Sequence, residues 1–233
     1  MHAKGTIAVM PVDPPTLTQP PAPGRSAVSA AARAYEHTKL AILRGVLAPG
    51  AAISEGSICA DLGVSRTPVH EAFLRLAAEG WLSLESRKGA VVRPLSPSEA
   101  EDVLQMREAV EASAAARAIA DGRIADVLPA LRELIERQVP TVGAKDVDTF
   151  VELDEAFHLG VVRASGNPIA VHFSEYIRDR QQRLRHQLIR VRTEQMGPAL
   201  EHHRLLADAL EAGDPAGYAA TLHEHVALHR GAL

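Results

Sequence analysis

Residues 54–94 restrict what this chain can become more than any other stretch. Ile58, Ala60 and Leu62 mark a short helix that Gly63 ends, glycine being the residue that readily takes a left-handed C-terminal cap. Ser65 stands where it can cap a second helix, and Pro68 is tolerated in that helix's first turn. Val69, Ala72, Phe73, Leu76 and Ala77 then recur at helical spacing and give one buried face. Gly80 stops the helix. Trp81–Glu85 and Ala90–Arg93 read as strands around a turn at Ser86–Gly89. Two short helices joined by a glycine turn form a helix-turn-helix, and the hairpin behind them makes it winged. Upstream, Ala32, Tyr35, Leu40, Ile42 and Leu43 predict a bracing helix between Ala31 and Gly45, with a turn at Leu47–Gly50.

The whole chain of 233 residues carries a net charge of −4, which argues against a nucleic-acid partner until the charge is divided. Residues 31–95 hold eight Lys/Arg against six Asp/Glu, whereas 96–233 hold 15 against 22. Any phosphate contact therefore belongs to the first segment. A single cysteine, Cys59, excludes an internal disulfide and fits a reducing cytoplasm. No apolar run approaches the roughly 20 residues a membrane helix requires, and the N-terminus lacks a signal-peptide core. Residues 1–30, with six prolines and little apolar periodicity, read as a disordered arm. The expected organisation is mainly α: this arm, a winged helix-turn-helix over 31–95, and an all-α bundle of about six helices over 96–233.

Arg66, at the start of the second helix, points into a DNA groove in such a module. It can place two parallel hydrogen bonds on a guanine edge or hold a phosphate. Thr67 can bond a phosphate or pack on a thymine methyl. Leu62-Gly63-Val64-Ser65-Arg66-Thr67-Pro68-Val69, Glu71-Ala72, Leu74-Arg75-Leu76 and Glu79-Gly80 together resemble the GntR family of bacterial transcription regulators. The resemblance implies operator binding, with the second helix in the major groove and the wing near the minor groove. The family usually has Arg where this chain has His70, a shorter donor that shifts the expected operator sequence. Arg87, Lys88 and Gly89 fit a wing tip reaching phosphates. Arg75 reads as a phosphate or surface residue.

Ser96-Pro97-Ser98-Glu99 opens the second half with a capping signature: a capping Ser, Pro at the first helical position and Glu three residues after the cap. Val103, Leu104, Met106, Ala109, Val110, Ala114, Ala115 and Ala116 continue one long helix to Ala120. Further helices are expected over about 124–139, 146–164, 168–190, 195–212 and 215–230. Gly143, Gly166-Asn167-Pro168, Gly197-Pro198 and Gly213-Asp214-Pro215 supply the breaks.

The chemistry of this half lies in its histidines. Asp154 and His158, four apart, share a helix face, while His203 and His225 sit on two later helices. One carboxylate and three imidazoles can hold a divalent ion with positions open to water or an anion. Asp-x-x-x-His, then His-Arg before Asp208–Asp214, then Leu222-x-x-His225, resembles the FCD ligand-binding domain found in the FadR subfamily. The resemblance places the metal ligands at Asp154, His158, His203 and His225, with zinc expected and nickel or manganese as alternatives. His229 is the rival on the last helix, and His172, His186, His202 and His223 read as ordinary histidines. Arg107 matches an arginine that faces the ligand cavity in relatives, which implies a small carboxylate effector. The competing reading is a surface ion pair with Glu111. Arg178, Arg180, Arg183 and Arg185 read mostly as a solvated face, with room for one member turned into the cavity.

The expected molecule is a cytoplasmic, homodimeric, non-enzymatic regulator that binds double-stranded operator DNA under control of an organic acid held at a metal. The alternatives are a metal-responsive regulator and a metal-dependent hydrolase or lyase.

Overall fold

A computed structural model describes residues 28–85, 89–228 and 230. Arg87, Lys88, His229 and most of the expected N-terminal arm lie outside the described residues. Two apolar clusters form, one drawn from residues 34–92 and the other from 95–226.

The first cluster is built by α1 (Ala30–Leu43), β1 (Ala52–Ile53), α2 (Glu55–Leu62), α3 (Arg66–Ala78), β2 (Leu82–Glu85) and β3 (Gly89–Val92). Ser29, placed by sequence in the arm, instead caps α1 by accepting a hydrogen bond from the Ala32 amide at 3.1 Å. Gly63 takes the left-handed conformation expected of it, at φ 64°. Ser65 occupies the cap position of α3, but its side chain makes no capping bond. Val69, Ala72, Phe73 and Leu76 of α3 are buried against Tyr35 and Ile42 of α1 and against Trp81 and Leu82. At about 1.5–3 kcal/mol for each large side chain removed from water, this face fixes the module.

The wing is a three-stranded antiparallel sheet in the order β1-β3-β2 rather than a simple hairpin. β1 pairs Ala52 with Val91 and Ile53 with Ala90. Two residues carry no legible alternation, so this strand escapes a reading by periodicity. Gly89 shows why the sheet closes: its φ is 85°, and a Cβ there would lie 2.7 Å from the Ile53 carbonyl oxygen.

The second cluster is all helical: α4 (Pro97–Ala120), α5 (Ile124–Ala144), α6 (Val147–Ala164), α7 (Pro168–Val191), α8 (Met196–Ala212) and α9 (Pro215–Ala227), with a 3-10 turn at Thr193–Gln195. Ser96, Asp146, Asn167 and Asp214 each cap the following helix through the side-chain oxygen. Gly143 does not end α5. The helix runs on through Pro140 and stops at Lys145, in the left-handed conformation at φ 54°. Gln138 and Thr141 are buried on its inner face, and this packing accompanies the helix past its expected end near residue 139. The buried face of α4 is also rotated from the expected one. Val103, Leu104, Arg107, Glu111, Ala114, Ala115 and Ala118 point inward, while Met106 is 41% exposed.

α7 lies against both clusters. Lys39 of α1 pairs with Asp179. Arg183 donates to the Arg93 carbonyl oxygen, its guanidinium carbon 5.7 Å from the centre of the Trp81 ring. Arg44 of α1 reaches Glu152 of α6 at 3.0 Å.

Candidate metal centre and nucleic-acid interface

Helical spacing puts Asp154 and His158 one turn apart on the inner face of α6, and both are buried. His203 of α8 and His225 of α9 arrive from two other helices and are fully buried. The structure brings all four together, with one ligand atom from each lying within 4.8 Å of the others. His158 Nε2 is 3.2 Å from His203 Nε2, and Asp154 Oδ1 is 3.2 Å from His203 Nε2. Asp154 Oδ1 lies 3.7 Å from His158 Nε2 and 3.9 Å from His225 Nε2. Two donors on one first-row ion stand about 3–3.5 Å apart when each bond is about 2.0–2.1 Å, so these separations suit a shared cation.

The surrounding hydrogen bonds set the tautomers. His158 Nδ1 donates to Glu111 Oε1 at 2.6 Å, and His203 Nδ1 donates to the Gln138 side-chain oxygen at 2.6 Å. A neutral ring so held carries its lone pair on Nε2, and the two lone pairs then face each other. With both rings in that tautomer no proton lies between the two nitrogens, and a cation would satisfy both. Neither oxygen of Asp154 makes a hydrogen bond of good geometry. Burial pushes its carboxyl up, but Arg185, His158 and His203 outweigh burial and hold it well below the usual range. Burial pushes His203 down to about 4 against the pull of Asp154, and burial with the neighbouring His203, His158 and Arg107 holds His225 well below its ordinary value. An ionised carboxylate and neutral imidazoles are the protonation states that a metal requires. The four residues fit a divalent ion.

Arg107 is inside the bundle. Its Nη2 donates to His225 Nε2 at 3.2 Å, and its Nε lies 3.6 Å from Glu111 Oε2. The pairing with Glu111 is real but buried, so the surface ion pair is excluded. Glu111 also accepts from the Tyr218 hydroxyl at 2.7 Å. Arg107, Glu111, Glu155, His158, Arg178 and Arg185 line a cavity beside the cluster.

Sequence reasoning missed how the basic run divides. Arg185 and Arg183 are both buried, at 2% and 3% exposure. Arg178 and Arg185 are seven residues apart, two helical turns, which puts them on one face; that spacing was the available signal. Glu111, Gln138 and Tyr218 came from helices whose inner faces could not be phased without the fold. Among the other histidines, His172 and His223 are exposed, and His202 is half-buried. His186 is buried, with Nδ1 3.4 Å from Asp148.

On α3, Arg66, Thr67 and His70 are all exposed. His70 Nδ1 bonds Glu55 of α2 at 2.6 Å. Arg75 stacks on the Tyr35 ring at 3.7 Å and donates to Glu79 at 3.0 Å, a structural engagement.

The chain matches the family model of bacterial regulatory proteins, gntR family, over residues 30–92, and that of the FCD domain over residues 102–228. It is 31% identical over 189 residues to a probable D-xylose utilization operon transcriptional repressor of Paenarthrobacter nicotinovorans, covering 81% of each protein. An HTH-type transcriptional regulator of Streptomyces ambofaciens is 38% identical over 135 residues, a stretch that spans 57% of this chain and 55% of that protein. Among solved structures, E. coli McbR/YncC superposes with a TM-score of 0.70 at 26% identity, covering 86% of this chain and 95% of that one. A regulator from Rhodococcus at 23% identity and TM-score 0.65 shares the fold. Among the described residues no helix is long and apolar enough to cross a membrane. With both models matched in this order, the chain belongs to the GntR family of DNA-binding transcriptional regulators and carries an FCD domain behind its winged helix-turn-helix.

Proposed function

We propose that this regulator works in the cytoplasm as a homodimer and adjusts its operator affinity in response to a small organic acid bound beside a divalent metal. The observation that carries the reading is the convergence of Asp154, His158, His203 and His225 with their lone pairs facing one another inside the bundle. Zinc suits three imidazoles and a carboxylate; nickel or manganese would accept the same donors. Four protein donors leave a six-coordinate ion with positions for oxygen atoms of an anionic ligand. Arg107 supplies a guanidinium fork on the cavity wall for a carboxylate.

The route to the DNA head runs through α7. Arg185 on that helix meets Asp154, and Arg183, two residues earlier, holds the backbone of Arg93. Glu155 and Arg178 line both the cavity and a groove of about 500 Å³ between α1 and the α6–α7 pair. A ligand shifts the placement of the heads only as far as it binds two arrangements differently, so contact with α7 is where the difference would arise. Arg66, Thr67 and His70 would read the groove, with Arg87, Lys88 and Gly89 at the wing, and a dimer would set two heads on two half-sites.

The test is operator binding to DNA upstream of the protein's own coding sequence, with metal-loaded protein and a panel of small carboxylates, on wild type and Arg107→Ala. An acid that shifts wild-type affinity and leaves the variant unmoved supports the reading. Affinity that follows added metal alone, with no response to any acid, makes the ion itself the signal. Absence of operator binding at low salt overturns the reading.

A further inference from the structure

Arg185 is not accounted for by a single-carboxylate clamp. It is 2% exposed, it lines the cavity beside the metal cluster, and none of its three guanidinium nitrogens makes a hydrogen bond of good geometry. Its closest anionic neighbour is Asp154, with Oδ2 2.9 Å from Nη1. Leaving so many buried donors unmatched is costly, and a guanidinium offers five of them in a fixed plane. Arg178, the other basic group on the same face of α7, is already taken by Glu155. Arg107, on the facing helix, also keeps its Nε without a hydrogen bond.

The charges close to the cavity support a second anionic group. Arg107 and Arg185 are balanced by Glu111 and Asp154, and Arg178 by Glu155. A divalent ion on the four donors adds two positive charges, and Glu175, the remaining carboxylate on the wall, is already paired with Arg163. Taking the His225 Nε2 lone pair for a metal also removes the acceptor that Arg107 Nη2 now uses, which frees that fork for the cavity. The clear interior is about 20 Å³, close to one water, so a ligand enters only with rearrangement of the side chains that line it.

We propose that Arg107 and Arg185 form a two-point clamp selecting a dianion, a short dicarboxylate with an oxygen function beside one carboxylate, over a monocarboxylate. The inference rests on the proposed metal-and-acid reading and sharpens it. One carboxylate and its neighbouring hydroxyl or keto oxygen face the metal and Arg107, and the second carboxylate meets the Arg185 fork. Monoanions leave that fork as unmatched as it is now.

The probes are L-malate and L-lactate, which share an α-hydroxy carboxylate and differ in the second carboxylate. Calorimetric titration of the full-length, zinc-loaded protein measures both affinities, with circular dichroism and metal content checked in parallel. In wild type, malate binds at least tenfold more tightly than lactate; in Arg185→Met that ratio falls to near one. Arg185→Lys keeps a cation against Asp154 but loses the planar fork, so it also lowers the ratio and serves if the Met variant does not fold. Equal binding of the two acids in wild type, or a ratio that survives both substitutions, overturns the clamp while leaving the effector reading intact. Lower zinc content with an unchanged ratio makes Arg185 a counter-ion of Asp154 only, and also overturns it. Failure of both acids to bind zinc-loaded wild type also overturns the clamp, and the panel of small carboxylates in the operator assay then decides the effector reading separately.

Discussion

Arg185 Nη1 stands 2.9 Å from Asp154 Oδ2, and each side chain keeps no more than 2% of its surface in contact with solvent. The pair ties α7 to α6 at the centre of the bundle. Arg183 on the same helix holds Arg93 at the end of the wing sheet, so in the proposed effector response a shift of α7 at the cluster would reach the DNA-binding module. Rigid helices with two arrangements are how such coupling travels.

Arg183→Met should therefore separate the two functions. The shorter, apolar methionine keeps the stem's packing near Trp81 while removing the donor to Arg93. Zinc content and basal operator affinity are expected to stay within about threefold of wild type, whereas the effector-induced change in affinity shrinks toward one. Fluorescence anisotropy on labelled operator, with and without the acid, reads both quantities. A full effector response in the variant would remove Arg183 from the route.

Metal removal should cost stability because the unfolded chain cannot present four converging donors. A ligand at 100 times its Kd stabilises by about 2.7 kcal/mol, and about 2–4 °C accompanies each kcal/mol in a chain of this size. Chelation is expected to lower the wild-type Tm by about 5–10 °C, and zinc to restore it. His203→Gln, which loses a central donor, should lose zinc at least about 100-fold and show a Tm indifferent to chelator. A wild-type Tm unmoved by chelation of protein with measured zinc content would contradict a buried structural contribution.

How much of this was legible beforehand depends on which residues announce themselves locally. Ser96-Pro97, Asn167-Pro168 and Asp214-Pro215 state their helix starts in the sequence, and α4, α7 and α9 begin within one residue of them. Asp154 and His158 declare a shared face by spacing alone. His203 over its neighbour His202 required the resemblance, since adjacent residues point about 100° apart and nothing local says which points inward. Glu111, Gln138 and Tyr218 were not legible, and the spacing of Arg185 told only that it shares a face with Arg178. Polar residues on a helix normally mark the solvent face, and only the assembled bundle shows these four turned inward, Arg185 to Asp154, Glu111 to His158 and Tyr218, and Gln138 to His203. β1 failed for a different reason: two residues are too few for a period, and the close approach that permits the pairing depends on Gly89, distant in sequence.

Gly89→Ala should disturb the wing more than an ordinary glycine replacement. At φ 85° an alanine is already strained, and its Cβ would press to 2.7 Å from the Ile53 carbonyl, a backbone atom that cannot rotate away. Gly63→Ala is the control, since its φ is 64° but its Cβ would meet open space. The expected losses are about 1 kcal/mol for Gly63→Ala and about 2–4 kcal/mol for Gly89→Ala by urea denaturation. Equal losses would mean that the β1–β3 contact yields easily.

Stability should fall on mild acidification through His186. Burial depresses this imidazole to about 4, with Asp148 pulling it up and Arg190, Arg44 and Arg185 pushing it further down. Above its ordinary value of 6.5 the ring is neutral in both states and contributes no slope. Between 6.5 and about 4 the unfolded chain takes a proton that the folded chain refuses, so stability drops with a slope approaching about 1.4 kcal/mol per pH unit. Urea midpoints of wild type and His186→Leu, measured from pH 7.5 to 4.5, isolate the contribution as the difference in slope. Parallel curves would show that the ring titrates normally.

Arg66 offers the sharpest test of how the head reads DNA. It is the first residue of α3, exposed, and absent from every ion pair among the described residues, so its fork is available to a guanine edge. Thr67 beside it is equally exposed, while His70 is engaged with Glu55 and projects less far. Arg66→Ala is expected to weaken operator binding by about 1–3 kcal/mol and to relax sequence preference at one base pair in each half-site. Its salt dependence should remain that of wild type, because a base contact displaces no phosphate counterion. Equal weakening on every sequence, with the salt slope reduced by about one, would assign Arg66 to the phosphate backbone and leave base reading to Thr67 and His70.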